Sequence, residues 1–160
     1  MLNKTALLLA CAATLALSAC TTMQMPTTIA DTAAKSAQLS TLSRLLNEAG
    51  LADTLRGTGP FTVFAPSDEA FKAVPAKTLA ELAANKELLR SVLSFHVLPG
   101  KVMAAAVVSG NAKTVQGANV ALSKSGGFVT IEDAVVQQAD VVASNGVVHV
   151  IDRVLMPPQK

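Results

Sequence analysis

The sequence contains no tryptophan and no tyrosine, and it has only 5 phenylalanines and 2 cysteines among 160 residues. Tryptophan and tyrosine supply many of the flat surfaces on which bases and sugar rings stack, so their absence argues against recognition by stacking. Charge is also scarce, since 13 basic and 11 acidic side chains leave a net charge of +2. No nucleic-acid partner is expected, because the chain lacks the basic excess that neutralises a phosphate backbone.

Both cysteines lie within the first 20 residues, which read MLNKTALLLACAATLALSAC. Lys4 precedes an uncharged apolar run over residues 6–17. This run is too short for a membrane span, which needs about 20 residues. The pattern is typical of an export signal that is removed from the mature protein, and Cys11 leaves with it.

The end of this signal, Leu17-Ser18-Ala19-Cys20, resembles the lipobox of bacterial lipoproteins, whose cysteine receives a lipid and becomes the first mature residue. The resemblance implies a signal peptide over residues 1–19 and a membrane anchor on Cys20, since two acyl chains hold a protein stably on a bilayer. The alternative is an ordinary signal peptide cut near Ala19, with Cys20 incidental. Acylation of Cys20 leaves no thiol for a disulfide, a metal site or a nucleophile.

The residues after Cys20 indicate location and domain organisation. Bacterial sorting usually retains a lipoprotein in the inner membrane when aspartate follows the cysteine, so Thr21 favours the outer membrane or cell surface in a source with two membranes. The expected location is extracytoplasmic and lipid-anchored. Residues 20–35 are polar, rich in threonine and contain Pro26, so they are predicted to form a lipidated, flexible tether. The folded domain is assigned to residues 36–158, within a range of possible starts from 29 to 37.

The domain carries helical patterns first and strand patterns afterwards. The predicted helices cover residues 36–49, 51–55, 68–74, 77–84 and 86–95. The predicted strands cover residues 61–66, 119–122, 128–132, 140–144 and 147–151. The first strand is apolar on both sides and is expected to be buried on both faces. Asn145-Gly146 is a strong hairpin signal between the last two strands. This segregated order indicates an α+β fold with a C-terminal β-meander.

The stretch FTVFAPSDEAF, residues 61–71, places Ser67 between a strand and a helix. A serine at such a turn is either a nucleophile or a helix cap. A nucleophile elbow needs small residues around the serine, whereas Pro66 and Asp68 flank this one. Ser67 is therefore predicted to be a structural cap whose hydroxyl accepts from the first turn of the helix. No catalytic residue is predicted, and the protein is not expected to be an enzyme.

The histidines, His96 and His149, are the remaining candidates for chemistry. His96 ends a predicted helix, and it is either an interaction contact, a pH-sensitive switch or a half-buried side chain whose ring bonds a nearby carbonyl. His149 alternates with valines in a predicted strand and is expected to be partly exposed. A metal site would combine both histidines with Asp140 or Asp152. His96 is far from the others in sequence, so no metal and no cofactor is predicted.

Three stretches, FTVFAPSDEAF, LSFHVLPG (residues 93–100) and ASNGVVHVIDRVLMPP (residues 143–158), resemble in order and spacing the signatures of the fasciclin domain family. The resemblance extends over about residues 28–157. It implies a compact α+β unit, a β-sandwich or wedge flanked by helices, here ending in the β-meander. It also implies a secreted or surface-anchored protein associated with adhesion, without a general catalytic activity.

The chain departs from the family pattern at one dipeptide. Family members usually carry Tyr-His where this chain has Phe95-His96, and in some animal members that dipeptide is implicated in integrin binding. Phe95 keeps the ring but lacks the hydroxyl, and the chain contains no Arg-Gly-Asp sequence. Phe95 and His96 are therefore kept only as possible interaction residues.

The sequence thus favours a membrane-anchored, non-enzymatic interaction or adhesion module of the fasciclin type. Its partners are expected to be the membrane, through the lipid on Cys20, and a protein, matrix or envelope component. The alternative is an envelope lipoprotein that carries a small apolar ligand or maintains the cell envelope.

Overall fold

The computed structural model describes residues 27–158. The predicted signal peptide, Cys20 and the tether up to residue 26 lie outside the described residues. Within the described part, no helix is long and apolar enough to cross a membrane.

Helices come mainly from the first half of the described chain and strands from the second. The helices are α1 (Ile29–Lys35), α2 (Ser40–Glu48), α3 (Ala52–Arg56), α4 (Asp68–Lys72), α5 (Ala76–Ala84) and α6 (Lys86–Phe95). The strands are β1 (Phe61–Pro66), β2 (Val97–Pro99), β3 (Gly110–Lys113), β4 (Asn119–Ser125), β5 (Phe128–Ile131), β6 (Ala134–Ala143) and β7 (Gly146–Ile151). A short 3₁₀ turn, Ala104–Ala106, precedes β3.

The seven strands form one mixed sheet in the order β2-β1-β7-β6-β5-β4-β3. Strands β3 to β7 are consecutive antiparallel neighbours, which confirms the predicted meander. β1 pairs in parallel with β7, from Phe61 opposite Gly146 to Pro66 opposite Ile151. The two ends of the sheet approach each other, since the Val115 N–H donates to the Val97 carbonyl at 2.8 Å. The result is a nearly barrel-like α+β domain, and the predicted fold class is confirmed.

Two hydrophobic clusters occupy the two sides of β1. Val63 and Ala65 belong to the cluster beneath the helices, and Phe64 belongs to the cluster enclosed by the curved sheet. This alternation follows from the two-residue repeat of a strand. Five of the six residues of β1 are buried, as its apolar pattern predicted.

Helix α1 extends the folded domain toward the N-terminus. Its N-cap is Thr28, whose Oγ1 accepts from the Asp31 N–H at 3.3 Å, and Ile29, Ala30 and Ala33 are buried. Residues 29–35 therefore belong to the packed domain, whose start lies within the predicted range from 29 to 37, although the assigned boundary at residue 36 left them in the tether. The helix is only seven residues long, so its sequence pattern is weak. Its burial depends on packing against α2, α3 and β7, and part of these contacts is distant in sequence.

The turn between β6 and β7 holds several elements together through Asn145. The Asn145 Oδ1 accepts from the Ile29 N–H at 2.9 Å, and its Nδ2 donates to the Leu55 carbonyl at 2.6 Å and the Gly57 carbonyl at 2.8 Å. Its own carbonyl accepts from the Phe61 N–H at 3.0 Å. The predicted hairpin turn thus also fixes the start of α1, the end of α3 and the start of β1.

Candidate functional site

His96 is buried and bonds the backbone through both ring nitrogens. It caps the C-terminus of α6, and its exposed fraction is 1%. Nδ1 lies 2.8 Å from the Val92 carbonyl oxygen, and Nε2 lies 2.9 Å from the Leu155 nitrogen. Because the Leu155 N–H donates to Nε2, the ring proton lies on Nδ1 and is donated to Val92. Burial lowers the pKa of His96 from 6.5 to about 4, against the opposing effect of the Val92 hydrogen bond.

These contacts change the prediction for the Phe95-His96 dipeptide. The carbonyl bond to His96 is present as expected, but the side chain is fully buried rather than half-buried. Phe95 is 2% exposed and belongs to the same cluster as Phe64. Neither side chain of the dipeptide offers a contact surface in this structure. The reason is that α6 runs directly into β2, which places the dipeptide beneath the sheet.

His149 lies within β7 and is 1% exposed, so the prediction of partial exposure is wrong. β7 is buried along its whole length, whereas alternation along a strand suggests one open face. The His149 Nδ1 accepts from the Asp140 N–H at 3.1 Å, and its Nε2 lies 2.8 Å from the Val102 carbonyl. The ring also stacks on Phe64, with centroids 5.5 Å apart.

Asp140 lies beside His149, as their places on the two arms of the hairpin suggested. The contact uses the Asp140 backbone N–H, while its carboxylate accepts from the Ala104 N–H at 2.7 Å. Within residues 27–158, no three histidine, cysteine, aspartate or glutamate side chains gather in a way that would hold a metal. The two histidine rings instead join separate backbone segments through hydrogen bonds. His96 joins α6 to Leu155, and His149 joins Val102 to Asp140.

Ser67 is the N-cap residue of α4. Its Oγ accepts from the Ala70 N–H at 3.2 Å, and its N–H donates to the Ile151 carbonyl at 3.0 Å. The side chain is 5% exposed. A histidine would have to act as its base, and both histidines have their ring nitrogens bonded elsewhere. The hydroxyl thus has the geometry of a cap.

Asp68 has a role that the sequence pattern did not reveal. Its carboxylate accepts from the Ser40 hydroxyl at 2.6 Å and from the Thr41 N–H at 2.8 Å. It therefore caps α2, whose own N-cap residue Leu39 provides no side-chain bond. Burial raises the pKa of Asp68, but the bonds from Ser40 and Thr41 outweigh it and hold the pKa below 3.8.

An open groove of about 1100 Å³ with a largely apolar lining lies between the helices and the C-terminal segment. Its walls come from α4 and the turn after it, α5, α6, the turn at residues 116–118, and residues 153–158. We call this feature the α4–α6 groove. The apolar side chains lining it include Val74, Pro75, Leu82, Leu88, Val92, Val154, Met156, Pro157 and Pro158.

The wall formed by residues 153–158 has neither helix nor strand, but it is anchored. Leu155 is buried in the cluster enclosed by the sheet, and His96 binds its N–H. Its neighbours Val154 and Met156 line the groove. Leu155 therefore faces the core on one side of this segment, and Val154 and Met156 face the groove on the other.

The turn at residues 116–118 is also fixed against α6. The Gln116 Nε2 donates to the Ser91 hydroxyl at 3.2 Å, and its Oε1 accepts from the Ala118 N–H at 3.1 Å. Glu81 and Arg153 are the charged side chains that line the groove. Among the described residues, the ion pairs are Arg44–Glu48 and those of Arg56 with Asp31 and Asp53, so neither groove charge is paired. Sequence reasoning missed the groove because five separate segments build it.

Comparison with known proteins identifies relatives over most of the chain. The family model described as "Fasciclin domain" matches residues 37–157. "Protein sll1483" of Synechocystis sp. is 44% identical over 133 residues, which cover 82% of this chain and 74% of that protein. "Cell surface glycolipoprotein MPB83" of Mycobacterium bovis is 35% identical over 135 residues, which cover 81% of this chain and 60% of that protein.

A solved structure shares the fold. It is the FAS1 domain pair from the insect cell adhesion molecule fasciclin I, which superposes with a TM-score of 0.65 at 21% identity. The superposition covers 82% of this chain and 51% of the other. At this level of identity the likeness concerns the fold alone.

Proposed function

The chain belongs to the fasciclin domain family, and on that premise we propose that it is a membrane-anchored, non-enzymatic module for adhesion-type contacts outside the cell. The observation that carries the proposal is that Ser67, His96 and His149 all bond the backbone of their own fold. These three side chains, which are the ones best suited to catalysis, stabilise the fold instead. We therefore propose that the domain acts by binding.

The proposed location rests on two independent features. The lipobox at residues 17–20 favours a lipid on Cys20, and the name of a relative, "Cell surface glycolipoprotein MPB83", places that protein at a cell surface. Thr21 favours the outer membrane or the cell surface over the inner membrane.

The position of α1 limits how far the domain reaches from the membrane. From Cys20 to the N-cap Thr28 the backbone spans at most about 29 Å, at 3.6 Å per residue. Many copies held this close to one surface present many weak contacts at once. Such multivalent attachment strengthens adhesion without requiring high affinity at each domain.

A second candidate function is the carriage of a small apolar ligand. The α4–α6 groove favours it, because a half-open hollow with mostly apolar walls is the usual form of a small-molecule site. The two functions are compatible, since a ligand in the groove leaves the rest of the domain surface open to other contacts.

The experiment is complementation of a deletion strain in the source organism. We expect deletion to weaken surface attachment or cell aggregation, the wild-type gene to restore it, and Cys20→Ala to fail because the protein is no longer held at the membrane. Cys11→Ala is the matched control, since Cys11 belongs to the removed signal, and it should restore attachment fully. Unchanged attachment and aggregation after deletion would contradict the proposal.

A further inference from the structure

We propose that the α4–α6 groove binds one long acyl chain with an anionic head, and that Arg153 pairs with the head. The shared chemistry is that of a long-chain fatty acid or a monoacyl phospholipid. The inference rests on the second candidate function and defines its ligand class.

The shape and lining of the groove favour an acyl chain. Its volume of about 1100 Å³ is slightly above the usual range of about 300–1,000 Å³ for small-molecule sites, and it is an open trough rather than a closed cavity. Val74 and Leu88 line the helical side, and Val154 lines the opposite wall. An acyl chain brings no hydrogen-bonding group of its own into the groove, and the polar lining side chains Ser91 and Gln116 already bond each other at 3.2 Å.

The C-terminal wall is built to hold such a chain. His96 and Leu155 fix the segment from the core side, so Val154 and Met156 are presented to the groove in a defined position. Met156 is 43% exposed, and its unbranched thioether adapts to irregular apolar ligands. A wall that is fixed before binding loses little conformational entropy when the ligand enters.

The two charged side chains of the groove favour an anionic head at one end. Arg153 lies on the C-terminal wall and Glu81 lies on α5, and neither has an ion-pair partner among the described residues. A carboxylate or phosphate oxygen is the geometric match for a guanidinium group. Glu81 repels the same head, which favours a position of the head at Arg153, away from α5.

The test measures binding to the mature chain, residues 20–160, carrying Cys20→Ala to keep the native acyl anchor out of the measurement. This chain contains every element of the fold, and its folding is verified by cooperative thermal unfolding. The probes are octanoate, decanoate and dodecanoate below their micelle concentrations, followed by calorimetry. Each buried methylene should tighten binding up to about fourfold, so affinity should rise steeply along the series. Equal affinity for all three would overturn the proposal.

The head group is tested with probes that share one chain length. Dodecanoate should bind at least tenfold more tightly than dodecanol or dodecylamine. Arg153→Gln should remove that preference, and Glu81→Gln, the matched control, should retain or increase it. A preference for dodecylamine, or one that survives Arg153→Gln, would overturn the assignment of the head.

A pair of exposed apolar residues tests the location. Met156→Asp should weaken dodecanoate binding at least tenfold, whereas Val142→Asp, at a 59% exposed position on β6 outside the groove, should leave it unchanged. Equal effects of the two variants would place the ligand elsewhere. Native mass spectrometry of protein from its own host distinguishes a bound fatty acid from a monoacyl phospholipid by mass. Absence of binding, with attachment still lost on deletion, would refute this inference and leave the adhesion function standing.

Discussion

The burial of His96 predicts a specific loss of stability in mild acid. In the folded protein its pKa is about 4, and its ordinary value is 6.5. Between these values the unfolded chain binds a proton that the folded chain does not, so the free energy of unfolding falls as the pH is lowered. From pH 7 to pH 4.5 the expected loss is about 2 kcal/mol. Its main cause is the burial of the ring, which disfavours the charged imidazolium, and a proton on Nε2 would in addition face the N–H of Leu155.

The assay is urea unfolding at constant ionic strength between pH 7 and pH 4.5, on wild type and His96→Gln. The glutamine amide supplies an oxygen for the Leu155 N–H but does not titrate. We expect the variant to be less stable at pH 7, because it fits the site less well, and to lose about 2 kcal/mol less on acidification. His149 is present in both proteins, so its contribution cancels. The pKa of Asp68 lies below 3.8, so loss of its cap contributes mainly below this pH window.

Two parallel stability curves would refute the reasoning, because the acid loss would then arise from groups other than His96. A second check is nitrogen NMR of the imidazole. The ring of His96 should remain neutral at pH 5, with its proton on Nδ1. A midpoint near 6.5 would show that the ring is not buried as described.

Substitutions at three further positions, two of them with a control variant, test the polar and glycine contacts that join distant segments. Asn145→Ala removes three side-chain hydrogen bonds, two of them partly buried and the one to Gly57 exposed, and should cost about 2–3 kcal/mol in urea unfolding. Asp68→Ala removes the cap of α2 and should cost about 1 kcal/mol, while Asp68→Asn should retain most of the stability because an acceptor oxygen remains. Gly146→Ala should prevent stable folding, because its Cβ would collide with the backbone of β1, whereas Gly110→Ala, at nearly the same φ but in open space, should cost only about 1 kcal/mol.

Local signals predicted much of the fold. The bounds of α6 agree with the sequence pattern, because its apolar spacing ends where the next segment becomes a strand. The Asn145-Gly146 turn and the cap at Ser67 are also local features, each determined by a few neighbouring residues. Strand β2, in contrast, is absent from the predicted strands, because its three residues acquire strand geometry only by pairing with β1.

The contacts that define the candidate site are not local. β1 and β7 pair in parallel across about half the chain, and this pairing buries His149 in a strand that alternation alone would leave half open. The cap that Asp68 gives to α2 joins residues 27 or 28 apart. The α4–α6 groove exists only after five segments have packed. No short stretch of the sequence contains both partners of these contacts, so only the folded structure reveals them.

The central claim is that Ser67, His96 and His149 stabilise the fold, and that the domain acts by binding a partner through its surface. It is tested most directly by attachment of the deletion strain when it expresses Ser67→Asn. Asparagine keeps an N-cap acceptor but has no hydroxyl, and the hollow beside Ser67 provides room for it. We predict full attachment and a melting temperature close to wild type, with Ser67→Ala less stable by about 1 kcal/mol. Loss of attachment by a Ser67→Asn protein of wild-type stability would contradict the account.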